Sequence, residues 1–133
     1  MIAKLRVARA TNNLKKISEM YQRGLGLEVL GSFEEHRGFN GIILGHPNSQ
    51  YHLEFTQQNN FTAPNSTSTE SLIVFYIPEE SEWQRTKTQM ITAGFALTPS
   101  HNPYWDDHGC TFEDPEGFRV VICKLEWVLS VTF

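Results

Sequence analysis

The sequence has few cysteines, no long hydrophobic run and no excess of basic residues. No apolar run approaches the ~20 residues that a membrane-spanning helix needs, so no membrane partner is expected. The N-terminal residues lack the apolar segment of a secretory signal peptide. We therefore predict a cytoplasmic protein in which the two cysteines, Cys110 and Cys123, are reduced thiols.

The charge balance argues against a further class of protein. Lysine and arginine total 11 against 15 acidic residues, which gives a formal net charge of −4. Without a basic stripe, nucleic acid is not expected as a partner. Hydrophobic residues make up 40% of the 133 residues and charged residues 20%, proportions that favour a packed core over disorder. The length predicts a single domain over residues 1–133.

The two halves of the sequence repeat one pattern. The first half opens with the alternating "IAKLRVA", continues with apolar residues at helical spacing and ends in three short strands. The second half opens with "SLIVFYI" and follows the same order, and Met20 matches Met90 at the same offset as other pairs. Each half is predicted to form strand, helix, strand, strand, strand. The predicted limits are a first module at 1–57, a linker at 58–70, a second module at 71–124 and a tail or extra strand at 125–133.

Local signals predict where the helices begin and end. Thr11 or Asn12 is a suitable cap for the first helix. Pro78 marks the start of the second helix and Gly94 its end. The segment "HNPYWDDHG" is predicted to be a loop, and its histidines and aspartates match no metal-ligand spacing.

Strand alternation divides each predicted strand into two faces. Leu5 and Val7, like Leu53 and Phe55, fit the apolar face that packs under a helix. The opposite faces mix polar groups with apolar neighbours, which is typical of a small-molecule pocket. The polar candidates on these faces are Lys4, Arg6, His52, Glu54, Tyr76, Arg119 and Cys123. Alternatively, the charged side chains only pair with one another, because buried charges need partners.

Three segments carry a resemblance to a known superfamily. These are "LRVARATNNLKKISEMYQRGLGLEVL", "HLEF" and "FEDPEGFRVVI". They resemble the vicinal oxygen chelate superfamily of glyoxalase I, extradiol dioxygenases, and fosfomycin- and bleomycin-resistance proteins. The longer segment "NPYWDDHGCTFEDPEGFRVV" resembles an uncharacterised bacterial subgroup of small members. The resemblance implies an α+β fold in which two βαβββ modules in tandem form facing half-cup sheets around a ligand, and it implies a homodimer.

The resemblance also implies four positions for metal ligands. Metal-dependent members place these ligands on the first and fourth strands of each module. Carried over to this sequence, the positions fall on Ile2, Glu54, Leu72 and Val121. Three of these side chains have no donor atom, and a single carboxylate does not hold a catalytic metal. We therefore predict that the protein uses no metal and no cofactor.

The favoured function is binding of a small organic molecule without a metal, its identity left open. Lys4, Arg6 and Arg119 would contact an anionic or polar group, and Glu54 and His52 a cationic or hydrogen-bonding one. Apolar contact is assigned to Tyr76, Trp105 and Phe112, although Trp105 also suits a purely structural position covering the core.

Two alternatives remain open. In one, Glu54 and His52 act as an acid–base pair in a lyase, isomerase or dioxygenase-like enzyme. In the other, the chain is a structural or regulatory module whose cup is filled by side chains.

Overall fold

The structure is a computed structural model that describes residues 1–129 of the 133. Within the described residues, three helices and eight strands follow one another along the chain. They are β1 (Leu5–Ala10), α1 (Leu14–Leu25), β2 (Glu28–His36), β3 (Phe39–Gly45), β4 (Tyr51–Gln58), β5 (Leu72–Tyr76), α2 (Glu80–Ala93), β6 (Ala96–Thr98), α3 (Pro103–His108), β7 (Gly109–Glu113) and β8 (Arg119–Cys123).

The strands form two four-stranded sheets with the same topology. The strand orders are β1-β4-β3-β2 and β5-β8-β7-β6. In each sheet the first strand runs parallel to the fourth, and the other pairs are antiparallel. The helix that follows each first strand is the crossover that such a parallel pair requires. The predicted α+β fold with two tandem βαβββ modules is confirmed.

The chain divides into two compact units, each built around one sheet. Unit 1 comprises Met1–Asn65 and unit 2 begins at Ser66. The longest described helix is α2, with 14 residues, and no helix in the described part is long and apolar enough to cross a membrane.

In unit 1, helix α1 covers one face of the sheet. Asn13 caps it by accepting a hydrogen bond from the Lys16 N–H at 3.2 Å, one residue later than predicted. The Tyr21 ring lies 4.8 Å from the Phe55 ring, centre to centre, so the helix packs on the face that carries Phe55. Cross-strand pairing places Val7 beside Leu53 on this same face.

The prediction that Leu5 and Val7 pack under the helix is only half right. Both lie on the helix face by register, but their side chains are 58% and 41% exposed. Strand β1 is an edge strand of its sheet. Both side chains therefore present apolar surface to solvent.

In unit 2, contacts with Lys124 show which face helix α2 covers. The Lys124 ammonium lies 4.3 Å from the centre of the Trp83 ring and 3.6 Å from the Glu80 carboxylate, and both partners are on α2. Lys124 follows β8 in alternation with Val120 and Ile122, so these residues share the helix face. The cap of α2 is Glu79, so the helix begins at Glu80, two residues after the predicted Pro78, and it ends at Gly94 as predicted.

The segment predicted to be a loop contains a short helix, α3, and that prediction is wrong. The Asn102 side chain caps the helix by accepting from the Tyr104 N–H at 3.0 Å, and Pro103 occupies the first turn. Both are ordinary start signals for a helix. A helix of 6 residues is too short to show apolar periodicity, which is why the pattern did not reveal it.

The segment between the sheets is anchored to each unit separately. The Asn12 side chain donates to the Ala63 carbonyl at 2.9 Å and accepts from the Ala63 N–H at 2.8 Å, both within unit 1. In unit 2 the Ser66 N–H donates to the Glu116 carbonyl at 2.8 Å. Residues 124–129 belong to no helix or strand, and Trp127 and Leu129 are 64% and 82% exposed. The rest of the tail predicted at 125–133 lies outside the described residues.

Candidate functional site

The face of the first sheet turned away from α1, hereafter the open face of unit 1, carries most of the predicted site residues. Register places Arg6 beside His52, and Ala8 and Ile43 beside Glu54. Because directly paired residues point to the same side, Arg6, His52 and Glu54 share this face. The sequence-predicted grouping of these three side chains therefore agrees with the strand register.

An ion pair fixes two of these groups. The Arg6 guanidinium lies 3.3 Å from the Glu54 carboxylate, with Nη1 donating to Oε1. The arginine side chain is 46% exposed, whereas the glutamate is 15% exposed. A guanidinium has five N–H donors, so most of those on Arg6 remain available to a ligand while Glu54 holds the group in place.

A depression of about 220 Å³ lies at the end of the open face where β1 and β4 begin. Polar groups of Lys4, Arg6 and His52 line it together with the apolar side chains of Leu30 and Ile43. Lys4, Arg6 and His52 are thus brought around one cavity, with Glu54 beside them through its ion pair. A small apolar hollow with convergent polar groups is the usual form of a ligand site.

Two further titratable residues of the depression were missed by the sequence analysis. His46 and Tyr51 line it from the β3–β4 connection and the start of β4. The His46 Nδ1 lies 3.4 Å from the Glu28 carboxylate, and burial raises the pKa of Tyr51. His46 follows the last glycine of a strand, and its position in a turn gave no signal of which sheet end it would join.

An aromatic side chain also lies on this open face without having been predicted. Phe33 pairs with Gly41, and a Cβ atom on Gly41 would overlap the Phe33 ring. Gly41 in turn pairs with Thr56, which lies on the open face by alternation from Glu54. The glycine therefore lets an aromatic ring lie flat across the sheet.

The corresponding face of unit 2 is packed more tightly. Arg119 Nε donates to the Glu113 carboxylate at 3.0 Å and Nη1 donates to the Pro99 carbonyl at 3.3 Å. The Arg119 side chain is only 10% exposed. Val121 and Cys123 lie on the same face and are fully buried.

Two hydroxyl groups in unit 2 are buried without a hydrogen-bond partner among the described residues. They belong to Ser100 and Thr111. Thr111 pairs with Val121, so it lies on the open face of unit 2, and it lines a cavity of about 400 Å³. Cys110 lines the same cavity, and burial raises the pKa of its thiol.

The other predicted site residues are dispersed in unit 2. Phe112 pairs with Val120 on the helix face, opposite to Arg119, and is fully buried, so it is not available for the ligand contact predicted for it. Trp105 lies on α3, where its ring meets that of Tyr104 edge-on at 5.0 Å. Tyr76 ends β5 and is 41% exposed.

The residues at the four positions of the metal ligands do not suit a divalent cation. Glu54 already pairs with Arg6, Val121 is a buried hydrocarbon, and Ile2 is 94% exposed. Within residues 1–129, no group of three or more His, Cys, Asp or Glu side chains could hold a metal ion.

Comparisons with known proteins agree with the two-module fold. Residues 5–56 match the family model of the YycE-like N-terminal domain and residues 70–124 that of the YycE-like C-terminal domain. The uncharacterised protein YycE of Bacillus subtilis strain 168 is 39% identical over 119 residues, which cover 90% of this chain and 86% of that protein.

Solved structures give the same picture. A crystal structure of Bacillus subtilis YycE, described as a protein of unknown function and a candidate glyoxalase/fosfomycin resistance protein, aligns with a TM-score of 0.86 at 38% identity, covering 96% of this chain and 93% of that one. Leishmania major glyoxalase I aligns with a TM-score of 0.70 at 16% identity, covering 90% and 84%. The fosfomycin resistance protein FosX of Mesorhizobium loti gives 0.70 at 9%, covering 91% and 90%. The last two similarities concern the fold alone.

Proposed function

Because the chain belongs to the YycE-like family of the vicinal oxygen chelate superfamily, we propose that it is a small-molecule-binding protein that works without a metal. The observation that carries this proposal is the half-exposed Arg6 guanidinium, held by Glu54 at the edge of the depression in unit 1. An arginine fixed by a less exposed carboxylate is preorganised, so binding a ligand costs little side-chain entropy.

The ligand that suits this depression is a small organic anion. Lys4 and Arg6 supply two positive charges, and His52 supplies a further hydrogen-bonding nitrogen. A guanidinium matches the geometry of a carboxylate or phosphonate group, and Leu30 and Ile43 offer contact to a short apolar portion. The ligand-binding role predicted for Tyr76, Trp105 and Arg119 stays a prediction, since none of them lines this depression.

Two features favour binding over catalysis. The Glu54 carboxylate is already engaged by the Arg6 guanidinium, which competes with any contact between the carboxylate and a reacting group. In the described part of the chain, no hydrogen bond from another residue orients the His52 ring, as is usual for a general base. The enzymatic alternative with Glu54 and His52 therefore has less support.

The structural alternative draws support from unit 2. Val121 and Cys123 fill the open face of that sheet with fully buried side chains. We propose that unit 2 serves mainly as a packed scaffold, while unit 1 carries the ligand. We further propose that the protein is cytoplasmic and forms a homodimer, for which the exposed apolar side chains of Trp127 and Leu129 provide contact surface.

Ligand binding is tested by thermal shift followed by calorimetric titration. The probes are acetate, succinate, phosphonoacetate and glutathione, added to the full chain after treatment with a chelator. We expect at least one probe to raise the melting temperature, because a ligand that binds only the folded state stabilises it. Arg6→Met should weaken that binding about tenfold or more, because a charge-assisted hydrogen bond is lost.

Arg23→Met is the matched control, because Arg23 is an exposed arginine on α1 that pairs only with Glu19 among the described residues. It should leave binding unchanged. Failure of every probe to shift the melting temperature would overturn the proposal in favour of a structural module. Binding that disappears with the chelator and returns with zinc, nickel or manganese would overturn the claim of metal independence.

A further inference from the structure

A second depression in unit 1 is lined by five amide side chains among its eight residues. It has a volume of about 640 Å³ and lies at the end of β4 remote from Arg6 and His52. We call it the amide groove. Its lining residues are Asn12, Glu35, Gln57, Gln58, Asn59, Asn60, Phe61 and Thr62.

Half of the groove is held rigid by hydrogen bonds among its own walls. Asn59 Nδ2 donates to the Glu35 carboxylate at 2.8 Å, and Asn40 Nδ2 donates to Asn59 Oδ1 at 3.2 Å. Gln57 Oε1 accepts from the Leu14 N–H at 2.9 Å, at the start of α1. These groups keep one geometry, so the groove is preorganised for a partner.

A β-bulge brings the carboxylate into this position. Between the pairs Phe33–Gly41 and His36–Phe39, the two residues Glu34 and Glu35 lie opposite the single residue Asn40. Glu35 has a φ of 50°, the left-handed region that non-glycine residues rarely adopt, and its N–H donates to Asn40 Oδ1 at 3.0 Å. Bulges commonly turn a side chain toward a functional site.

The other half of the groove offers unused groups. The side chains of Gln58, Asn60 and Thr62 make no hydrogen bond to any described residue, so their donors and acceptors are free for a partner. Beside them the Phe61 ring is 55% exposed, although a large aromatic side chain gains most by burial. Free amides beside an exposed ring form a surface with one polar part and one apolar part.

We infer that the amide groove binds an uncharged polyhydroxylated molecule, a mono- or oligosaccharide. Amides and hydroxyls each donate and accept hydrogen bonds, so a row of Asn and Gln side chains matches the hydroxyls of a sugar. The less polar face of a sugar ring can rest on the Phe61 ring, which an ion or a polar solute would not need. This inference does not depend on the anion site at Arg6.

Other partners fit the amide groove less well. Glu35 is its only charged lining residue, so the phosphates of a nucleic acid would find no cation there. A peptide commonly binds by adding a strand to a sheet edge. Strand β4 lies between β1 and β3, and the backbones of Gln57 and Gln58 already pair with Asn40 and Phe39. Recognition therefore depends on side chains.

The test is a titration of the ¹⁵N-labelled full chain, followed by NMR, with glucose, galactose, N-acetylglucosamine, maltotriose, cellotriose and chitotriose. We expect at least one sugar to shift the signals of Gln58, Asn60 and Phe61 at millimolar concentration. Phe61→Ala should weaken binding about tenfold through loss of the aromatic contact. Asn60→Asp, which tolerates the left-handed φ of 57° at this position, should also weaken it, because an amide donor is lost.

Tyr104→Ala removes another exposed aromatic side chain, one in unit 2, and should leave sugar binding unchanged. Circular dichroism confirms that each variant is folded. The inference is overturned if no sugar shifts the groove signals, or if Phe61→Ala and Asn60→Asp bind as well as the unaltered chain. It is equally overturned if triglycine or adenosine shifts those signals and no sugar does.

Discussion

In unit 1 the pair Arg6–Glu54 leaves the arginine 46% exposed and the glutamate 15% exposed. In unit 2 the pair Arg119–Glu113 has the reverse arrangement, with the arginine 10% and the glutamate 37% exposed. Both pairs lie on the sheet face turned away from the helix, in sheets of identical strand order. The guanidinium of the ion pair is therefore half-exposed in unit 1 and mostly buried in unit 2.

This difference shows how a repeated fold can divide its tasks. An exposed guanidinium can reach a ligand, whereas Arg119 uses its donors on Glu113 and on the Pro99 carbonyl. The fully buried Val121 and Cys123 complete the contrast, since the open face of unit 1 carries His52 and Glu54 instead. Topology was kept in both units while the chemistry of the open face diverged.

The largest expected effect comes from two glycines on β3 and β7. An added Cβ at Gly109 would overlap the Ile122 carbonyl, whereas at Gly41 it would overlap only the Phe33 ring. Backbone cannot move as a side chain can, so Gly109→Ala should destabilise by about 3 kcal/mol or more and Gly41→Ala by about 1 kcal/mol. Urea denaturation of both variants checks this, and equal losses would contradict the tighter packing assigned to unit 2.

Removing each arginine gives the next largest difference. Arg119→Ala should lower the free energy of unfolding by about 2 kcal/mol, because a mostly buried, hydrogen-bonded charge pair is broken. Arg6→Ala should cost less than about 1 kcal/mol, as expected for an exposed ion pair. Chemical denaturation measures both losses. A greater loss for Arg6→Ala would reverse the roles proposed for the two pairs.

The unpaired hydroxyl of Thr111 gives a smaller effect of opposite sign. Thr111→Val keeps the shape of the side chain and removes a buried polar group that has no partner among the described residues. Stability should rise by about 1 kcal/mol, because the desolvation cost of the hydroxyl disappears. Thr98→Val is the control, since the Thr98 hydroxyl donates to the Pro99 carbonyl at 3.4 Å. A melting temperature that falls in Thr111→Val would show that the hydroxyl is satisfied.

The smallest expected effect is a difference between α1 and α2 in how the stability of the first turn depends on pH. Hydrogen bonds from the Ser81 hydroxyl and from the N–H groups of Glu82 and Ser81 lower the pKa of Glu79, which caps α2. The cap therefore contributes its full stability above the ordinary pKa of a glutamate and loses it as the pH falls through the lowered pKa of the folded state. Helix α1, capped by Asn13, lacks this dependence.

NMR shifts of the first turns of α1 and α2, followed from neutral to acidic pH, measure that difference. We expect α2 to fray first. Glu79→Asn gives α2 the same kind of cap as α1 and should remove most of the dependence, leaving the smaller part due to Glu80, whose pKa is lowered by its hydrogen bond with Gln84. Fraying of α1 at the same pH would contradict the role assigned to Glu79.

The fold could be predicted from the sequence because the repeat and the strand alternation are local signals. The alternation in "YHLEF" correctly separated Leu53 and Phe55 from His52 and Glu54. Burial was less predictable, because it depends on how far a helix extends over a sheet. Val7 lies on the predicted face and is still 41% exposed.

The sites were only partly predictable for the same reason. Arg6 and Glu54 are 48 residues apart, yet alternation alone placed them on one face. The place of His46 depends on which end of the sheet its loop joins. The amide groove depends on a β-bulge that interrupts the strand alternation. Neither feature has a periodic signature in the sequence. Phe112 pairs with Val120 on the helix face of β7 and is fully buried there, which the prediction of a ligand contact did not take into account.

The connection between the two sheets has a consequence for engineering. The Asn12 side chain holds Ala63 by hydrogen bonding, and the Ser66 N–H donates to the Glu116 carbonyl of the Asp-Pro-Glu-Gly turn. In the same turn, a side chain on Gly117 would overlap the Ser66 carbonyl. Only Pro64 and Asn65 lie between these two hydrogen-bonded residues. A protease recognition sequence inserted between Pro64 and Asn65 would leave the hydrogen bonds on both sides intact. The same insertion a few residues earlier or later would break one set of them.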